Sequence, residues 1–405
     1  MTLTAGRPGP QTVVAVTSWP FDDALVQTYT LPYLQMILRR LGGDGRVVLV
    51  TQEPERSPRR LTRFEATPGI DVVARPWAPV GPRGARHLGI LLLRTVALAA
   101  PRSVVAVHAF GTPAGLPAML AAAATRTPLV VDSFEPHADA MVENGTWEPN
   151  SAAHRVLARA ERRMAKQAWA VVGTTAAMAD YARERLGVTP SQFFVKPACV
   201  DLGRFRPAEA MGAADADVVC VYAGKLGGIY LEQELFELFA AAVRRWGSRF
   251  RVEMLTSADR AHVEAGCRAA GVDPAIVRSR LVPHDEVAGI LRTADFAVNP
   301  VRPVPTKRYC TSIKDGEYWA SGLPVVITPD ISDDSAVIAA RRIGAVIREL
   351  SAPAYDEAMA QIDALLQPHE RERVRVEARR VAEELRSFSI AEGVYDAIYG
   401  RPDGS

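Results

Sequence analysis

Lysine is nearly absent from this sequence. Lys166, Lys196, Lys225, Lys307 and Lys314 are the five lysines among 48 basic residues, and the others are arginine. Arginine replaces lysine freely on a solvated surface, less freely where a compact ammonium must meet a phosphate, so these positions are informative. Net charge is also missing: 48 basic against 46 acidic residues leave +2, and no field draws nucleic acid as a partner. Cys199, Cys220, Cys267 and Cys310 form no Cys-x-x-Cys pair and have no histidine at zinc-ligand spacing. That excludes a disulfide framework and suits reduced thiols in the cytoplasm. The most apolar stretch, 88–100, is broken by Arg94 and is too short to span a bilayer. Peripheral membrane contact stays open but nothing indicates it. Residues 1–11 are polar and rich in glycine and proline, unlike a signal peptide. No internal repeat is visible.

What is present describes an ordinary globular chain. Its 405 residues are 48% hydrophobic, enough for two or three domains of usual size. Short apolar runs at 12–16, 46–51, 70–74, 103–108, 129–131 and 168–172 read as buried strands. Between and after them, 31–41, 89–99, 115–125 and 175–186 have helical periodicity. A second series follows, with strands at 218–222, 250–255, 280–282, 296–298, 325–327 and 345–347. Its helices are expected at 231–246, 262–270 and 284–292, with two more at 369–385 and 390–399. Strands alternating with helices imply an α/β protein with parallel, doubly wound sheets. Residues 201–214 lack an apolar period and contain Pro207, so they read as a linker. Two such domains leave a cleft at the carboxyl ends of their strands, where open sheets bind ligands.

One segment reads as a unit of chemistry: Lys314-Asp-Gly-Glu317-Tyr-Trp-Ala-Ser-Gly322-Leu-Pro324-Val-Val-Ile-Thr. Lys314 and Glu317 share one face of a short helix, Gly322 ends it, and the run from Val325 suits a buried parallel strand. A cation in the opening turn of a helix, beside free N–H groups and the positive dipole end, suits a phosphate. A carboxylate one turn on can accept from a pair of sugar hydroxyls. Together they point to a sugar nucleotide. Glu317 has a second reading, as a cap on its own helix.

These residues resemble the GT-B-fold glycosyltransferases of the large retaining family four. The match is carried by Lys314-x-x-Glu317-Tyr-x-Ala-x-Gly322-x-Pro324-Val-Val, Tyr222-Ala-Gly224-Lys225-Leu, the run from Lys196-Pro to Asp201, Phe205 and Pro207, and Leu291-x-x-Ala294-Asp295. It covers roughly 168–347, whereas the first 165 residues match in pattern only. The resemblance implies two Rossmann-like domains facing an interdomain cleft. An acceptor-side domain is expected at 1–205, a nucleotide-sugar domain at 206–381, and a final helix at 382–405 that crosses back. In the second domain the loop Gly224-Lys225-Leu-Gly227-Gly228 would let backbone approach an oxyanion that Lys225 neutralises. The position of a second basic residue falls here at Ile229, Tyr230 or Leu231. Lys314 would then carry more of the leaving-group charge, with help from Lys307. Glu317 would receive the ribose hydroxyls, but the partner glutamate eight positions earlier is replaced by Tyr309. Ser332, Ser335 and their amides are weaker site candidates, with Ser332 or Asp333 placed to cap a helix.

In the first domain, Val130-Val-Asp132-Ser-Phe-Glu135-Pro-His137 leaves a strand for a loop. Asp132, Glu135 and His137 could contact the donor sugar or the attacking hydroxyl, and His137 could shuttle a proton. Alternatively, Glu135 and His137 pair to stiffen the loop. His108 is taken as a structural residue, and Trp19 and Trp147 as aligners of the acceptor. Residues 52–87 and the loop 138–152 are assigned to acceptor recognition. Asp22-Asp23 and Asp333-Asp334 are solvated carboxylates and not a metal site, because lysines and helix ends serve the diphosphate.

The expected activity is transfer of a sugar, with retention, from a nucleotide-diphosphate donor to a small-molecule or glycan acceptor, without metal or resident cofactor. A sugar-nucleotide epimerase or hydrolase of the same fold, and a catalytically inactive nucleotide-binding homologue, stay open. A nicotinamide dehydrogenase fits worse, since Gly224-Lys-Leu-Gly-Gly lacks the Gly-x-Gly-x-x-Gly order.

Overall fold

The structure, a computed structural model, describes residues 2–4, 9–54, 68–77, 82–208 and 217–400. Parts of the segments assigned to acceptor recognition and to the linker, at 55–67, 78–81 and 209–214, lie outside the described residues. The chain divides into two compact units, one of residues 1–197 and 389–405, the other of 198–388.

The first unit is built on seven parallel strands: β1 (Thr12–Thr17), β2 (Arg46–Pro54), β3 (Ile70–Trp77), β4 (Val104–Phe110), β5 (Leu129–Phe134), β6 (Ala170–Gly173) and β7 (Phe193–Val195). Their order is β3-β2-β1-β4-β5-β6-β7, so the winding reverses between β1 and β4. Val13, Val14, Ala15 and Val16 are all buried, as expected of a central strand covered on both faces. The second unit has six: β8 (Val218–Ala223), β9 (Phe250–Leu255), β10 (Val277–Arg280), β11 (Phe296–Asn299), β12 (Val325–Ile327) and β13 (Gly344–Val346). The order β10-β9-β8-β11-β12-β13 repeats the first pattern, with its switch point between β8 and β11.

The core of the second unit shows why these strands form. Cys220 and Tyr222 of β8, Phe296 and Val298 of β11 and Val326 of β12 enter one apolar cluster with Phe236 and Phe239. Val221, Ala297, Val325 and Ile327 enter another, with Tyr318, Trp319 and Leu323. Successive residues feed opposite faces, and each face is sealed by helices.

Three expectations need correction. The strand placed at 280–282 is β10, paired as Val277 with Val252 through Arg280 with Leu255, and Leu281 lies beyond it, 75% exposed. The loop 138–152 begins as the helix His137–Glu143. The helices Ala152–Gln167 and Ala352–Leu365 and the edge strand β7 were not anticipated. In the first of these the buried face includes Ala160, Met164 and Ala165, a weak apolar signal within an arginine-rich run. Among the described residues no helix is long and apolar enough to cross a membrane.

Candidate functional site

In the second unit β8 ends at Ala223, whose N–H donates to the Tyr318 hydroxyl at 3.0 Å. That bond ties the loop after β8 to the helix Ile313–Ala320. Gly224 follows, and a Cβ there would lie 3.0 Å from Lys314 Nζ. Glycine is what lets the ammonium lie against the backbone next to Lys225. Gly227 and Gly228 turn the chain at φ +78° and +67°, left-handed values that favour glycine.

Lys314 is the second residue of its helix, and Ser312 at the N-cap makes no side-chain cap. Its Nζ is buried and has no hydrogen-bond partner among the described residues. The ammonium stands 4.1 Å from the centroid of the Tyr230 ring and 5.5 Å from that of Tyr222. The position where a second cation was sought thus holds an aromatic face for the remaining one. Ring faces attract a cation weakly compared with an acceptor, so a buried ammonium in this setting is short of negative charge.

Asp315, the next residue, makes no hydrogen bond with the Lys314 ammonium. Asp315 is fully buried and held by Asn299 Nδ2 at 2.8 and 3.0 Å. Burial, and then the charge of Asp334, push its pKa well above the usual carboxylate range, against the opposing pull of Lys314 and Asn299. Asp315 and Asp334 lie in the first turns of the helices Ile313–Ala320 and Asp334–Arg341, which brings two helix N-termini together. Asp334 is itself paired with Arg386. An unpaired cation close to helix N-termini is an arrangement that favours an anion.

Glu317, 5% exposed, lies beyond the first turn and does not cap its helix. Its Oε1 is 2.7 Å from His284 Nε2 instead. In the sequence His284 marks only the start of a helix, with Pro283 before it as the one local cue. Lys307 is half-buried in the short helix Pro305–Tyr309, and its carbonyl accepts from Ser332 N at 2.9 Å. Ser332, at φ +45°, accepts from Asp334 N at 3.3 Å in a local turn, whereas Asp333, at the N-cap, makes no side-chain cap, so the expected cap is not formed. Ser335 is buried, and the Lys225 side chain is exposed.

In the first unit the expectation for Asp132 is corrected. Its carboxylate has no solvent exposure and cannot reach a sugar. It meets Lys196 Nζ at 3.1 Å, the Tyr395 hydroxyl at 2.7 Å and His108 Nε2 at 3.3 Å. His108 Nδ1 lies 2.8 Å from the Tyr399 hydroxyl, and the Lys196 ammonium stands 3.5 Å from the Tyr33 ring centroid. Burial alone would raise the Asp132 pKa, but Lys196 and the hydrogen bond from His108 hold it well below the usual range. This is a structural lock, and Lys196 and His108 belong to it.

Glu135 and His137 lie at the end of β5, with Oε1 and Nδ1 3.3 Å apart, as the pairing alternative holds. Both side chains keep about a quarter to a third of their surface, 32% and 26%. Thr112 fixes Glu135 by accepting from its N–H at 3.0 Å and donating to its carbonyl at 2.8 Å. Beneath them Glu161 was not anticipated: its Oε1 accepts from Ala138 N at 2.8 Å. Burial pushes its pKa up to about 8. Trp19 packs on Gly111, where a Cβ would lie 2.9 Å from the indole. Trp147 is half-buried.

Residues 30–199 match the family model of the glycosyl transferase 4-like domain. That match spans under half of the chain, and the chain as a whole has a GT-B fold. Sucrose-phosphate synthase from Thermosynechococcus elongatus superposes with a TM-score of 0.72 at 15% identity, covering 96% of this chain and 98% of that one. WaaG, a glycosyltransferase involved in lipopolysaccharide biosynthesis, gives 0.69 at 17% over 96% and 99%. HepE from Anabaena, solved with UDP-glucose, gives 0.69 at 12% over 95% and 98%. At these identities the likeness shows the fold. No curated protein matches the chain. The family match lies mostly in the first unit, whereas the motifs that carry the resemblance lie mostly in the second.

Proposed function

We propose that this protein is a glycosyltransferase that takes its sugar from a nucleotide-diphosphate donor and passes it, with retention, to an acceptor hydroxyl. The observation that carries this reading is the Lys314 ammonium, buried without an acceptor beside Gly224 at a helix N-terminus. A diphosphate supplies the charge it lacks. HepE, of the same fold, was solved with a sugar nucleotide, which supports this donor class.

In the proposed reaction the bond from the anomeric carbon to the diphosphate oxygen breaks. The acceptor oxygen bonds to that carbon, and its proton passes to His137, which Glu135 orients. Lys314, the helix-end amides and Lys225 stabilise the departing diphosphate, with Lys307, Ser332 and Ser335 as flanking groups. Fixed cations and dipoles need no reorganisation as charge develops, so the chemistry requires no metal or resident cofactor. Glu317 receives the ribose hydroxyls. Retention is what the resemblance to family four implies.

A thermal-shift panel of UDP, GDP, ADP and CDP tests the donor class, because a ligand of the folded state raises its melting temperature. At least one is expected to stabilise the wild type and to lose most of that effect in Lys314→Ala. Equal shifts in both proteins, or none in either, would overturn the reading. Donor and acceptor panels with product stereochemistry then test transfer and retention.

A further inference from the structure

The partner of Glu317 adds a second layer to the nucleotide site. His284 opens the helix His284–Leu291, directly after Pro283. Its Nε2 lies 2.7 Å from Glu317 Oε1, and its ring stands 5.7 Å from that of Phe205, inclined at 58°. Phe205 is buried, so the imidazole is braced on one side and bonded on the other. The Glu317 side chain keeps 7% of its surface and that of His284 28%. No other hydrogen bond or ion pair to the Glu317 carboxylate is found among the described residues, and Lys314 does not pair with it.

A carboxylate can read two adjacent hydroxyls only if both oxygens are held in place before the ligand arrives. A buried carboxylate with no donor would rotate or take up a proton. With Nδ1 bare, neutral His284 still donates from Nε2, and the imidazolium donates as well. The His284 Nδ1 atom is buried with no hydrogen-bond partner, which leaves Nε2 as the nitrogen that engages the protein.

We propose that His284 is the positioning residue that fixes Glu317 for the vicinal hydroxyls of the donor ribose, so that a His–Glu pair discriminates ribonucleotides from 2′-deoxyribonucleotides. This rests on the nucleotide-diphosphate reading above. Oε1 is oriented by histidine, and Oε2 is presented to the sugar.

Titration calorimetry with UDP, GDP and ADP, each against its 2′-deoxy form, measures the discrimination. Hydrogen bonds to a charged group predict that the wild type prefers the ribo form by about 10- to 100-fold. His284→Leu should bring that ratio close to one. His284→Gln, whose amide reaches as far and donates, should restore it. His284→Asn is too short to reach Oε1 and should behave like Leu, and it serves if the Leu variant fails to fold. Lys314→Ala should weaken both forms alike and leave the ratio unchanged. A folded Leu or Asn variant with the wild-type ratio overturns the role of His284 while leaving the nucleotide site standing. A wild type that binds none of the diphosphates overturns both.

Discussion

Lys196 Nζ stands 3.1 Å from Asp132 Oδ1, and neither side chain has any solvent exposure. Removing one member of a buried ion pair strands the other, at a cost of about 3–5 kcal/mol. Lys196→Met should destabilise the first unit by that order, read as a lower denaturant midpoint. The acid limb follows from the depressed Asp132 pKa. A carboxyl held lower in the folded than in the unfolded chain stabilises fully above the ordinary range, near pH 4, and loses that contribution below it. The gap between wild type and Asp132→Asn should therefore narrow as the pH falls below about 4. Unfolding curves in urea at a series of pH values check both.

Glu161 behaves in the opposite sense. Its folded pKa is raised to about 8, so the folded chain holds a proton that the unfolded chain releases near the ordinary value of about 4. Stability should decline as pH rises between those values. Glu161→Gln keeps an acceptor for Ala138 N and should flatten the decline, which melting curves from about pH 5 to about pH 8 would show.

For the diphosphate site, Lys314→Ala is expected to reduce turnover by about a hundred- to a thousandfold without changing the circular dichroism spectrum. Tyr230→Ala removes the ring beneath the ammonium and should reduce it by a few-fold to about tenfold, whereas Tyr230→Phe keeps the face and should be close to wild type. Steady-state kinetics on matched preparations separate the three.

Two glycines should respond differently to alanine. At Gly224 the new methyl meets Lys314 Nζ at 3.0 Å and the Tyr222 hydroxyl at 3.2 Å, so nucleotide affinity should fall together with the melting temperature. At Gly111, φ is +81° and the methyl meets the rigid Trp19 indole. There stability should fall by about 1–3 kcal/mol. Thermal melts alongside nucleotide titrations distinguish the outcomes.

Much of this was legible in the sequence because the signals were local. The strand at 325–327 is where its apolar run places it, sealed on both faces, and that at 250–255 follows the alternation of Phe250, Val252 and Met254 with Arg251 and Glu253. Lys314 in a first turn and Gly322 as a left-handed stop were set by spacing. What stayed hidden depends on residues far apart in the chain. Asp132 looks like a loop acid until Lys196, Tyr395 and His108 close around it. His284 becomes a partner of Glu317 only because two helices deliver both to one place, across 33 residues. The tyrosine that replaces a cation near Lys314 is visible as a departure, but its use as a ring face is a matter of three dimensions.

The helix Phe388–Tyr399 brings Tyr395 and Tyr399 to the buried lock around Asp132 and His108. The first unit is consequently assembled from segments on either side of the second. A ribosome that has released residues 1–197 has made a sheet whose deepest charges still lack their last partners, and the other unit must be synthesised before those partners arrive. During translation, the unit begun first is the one finished last.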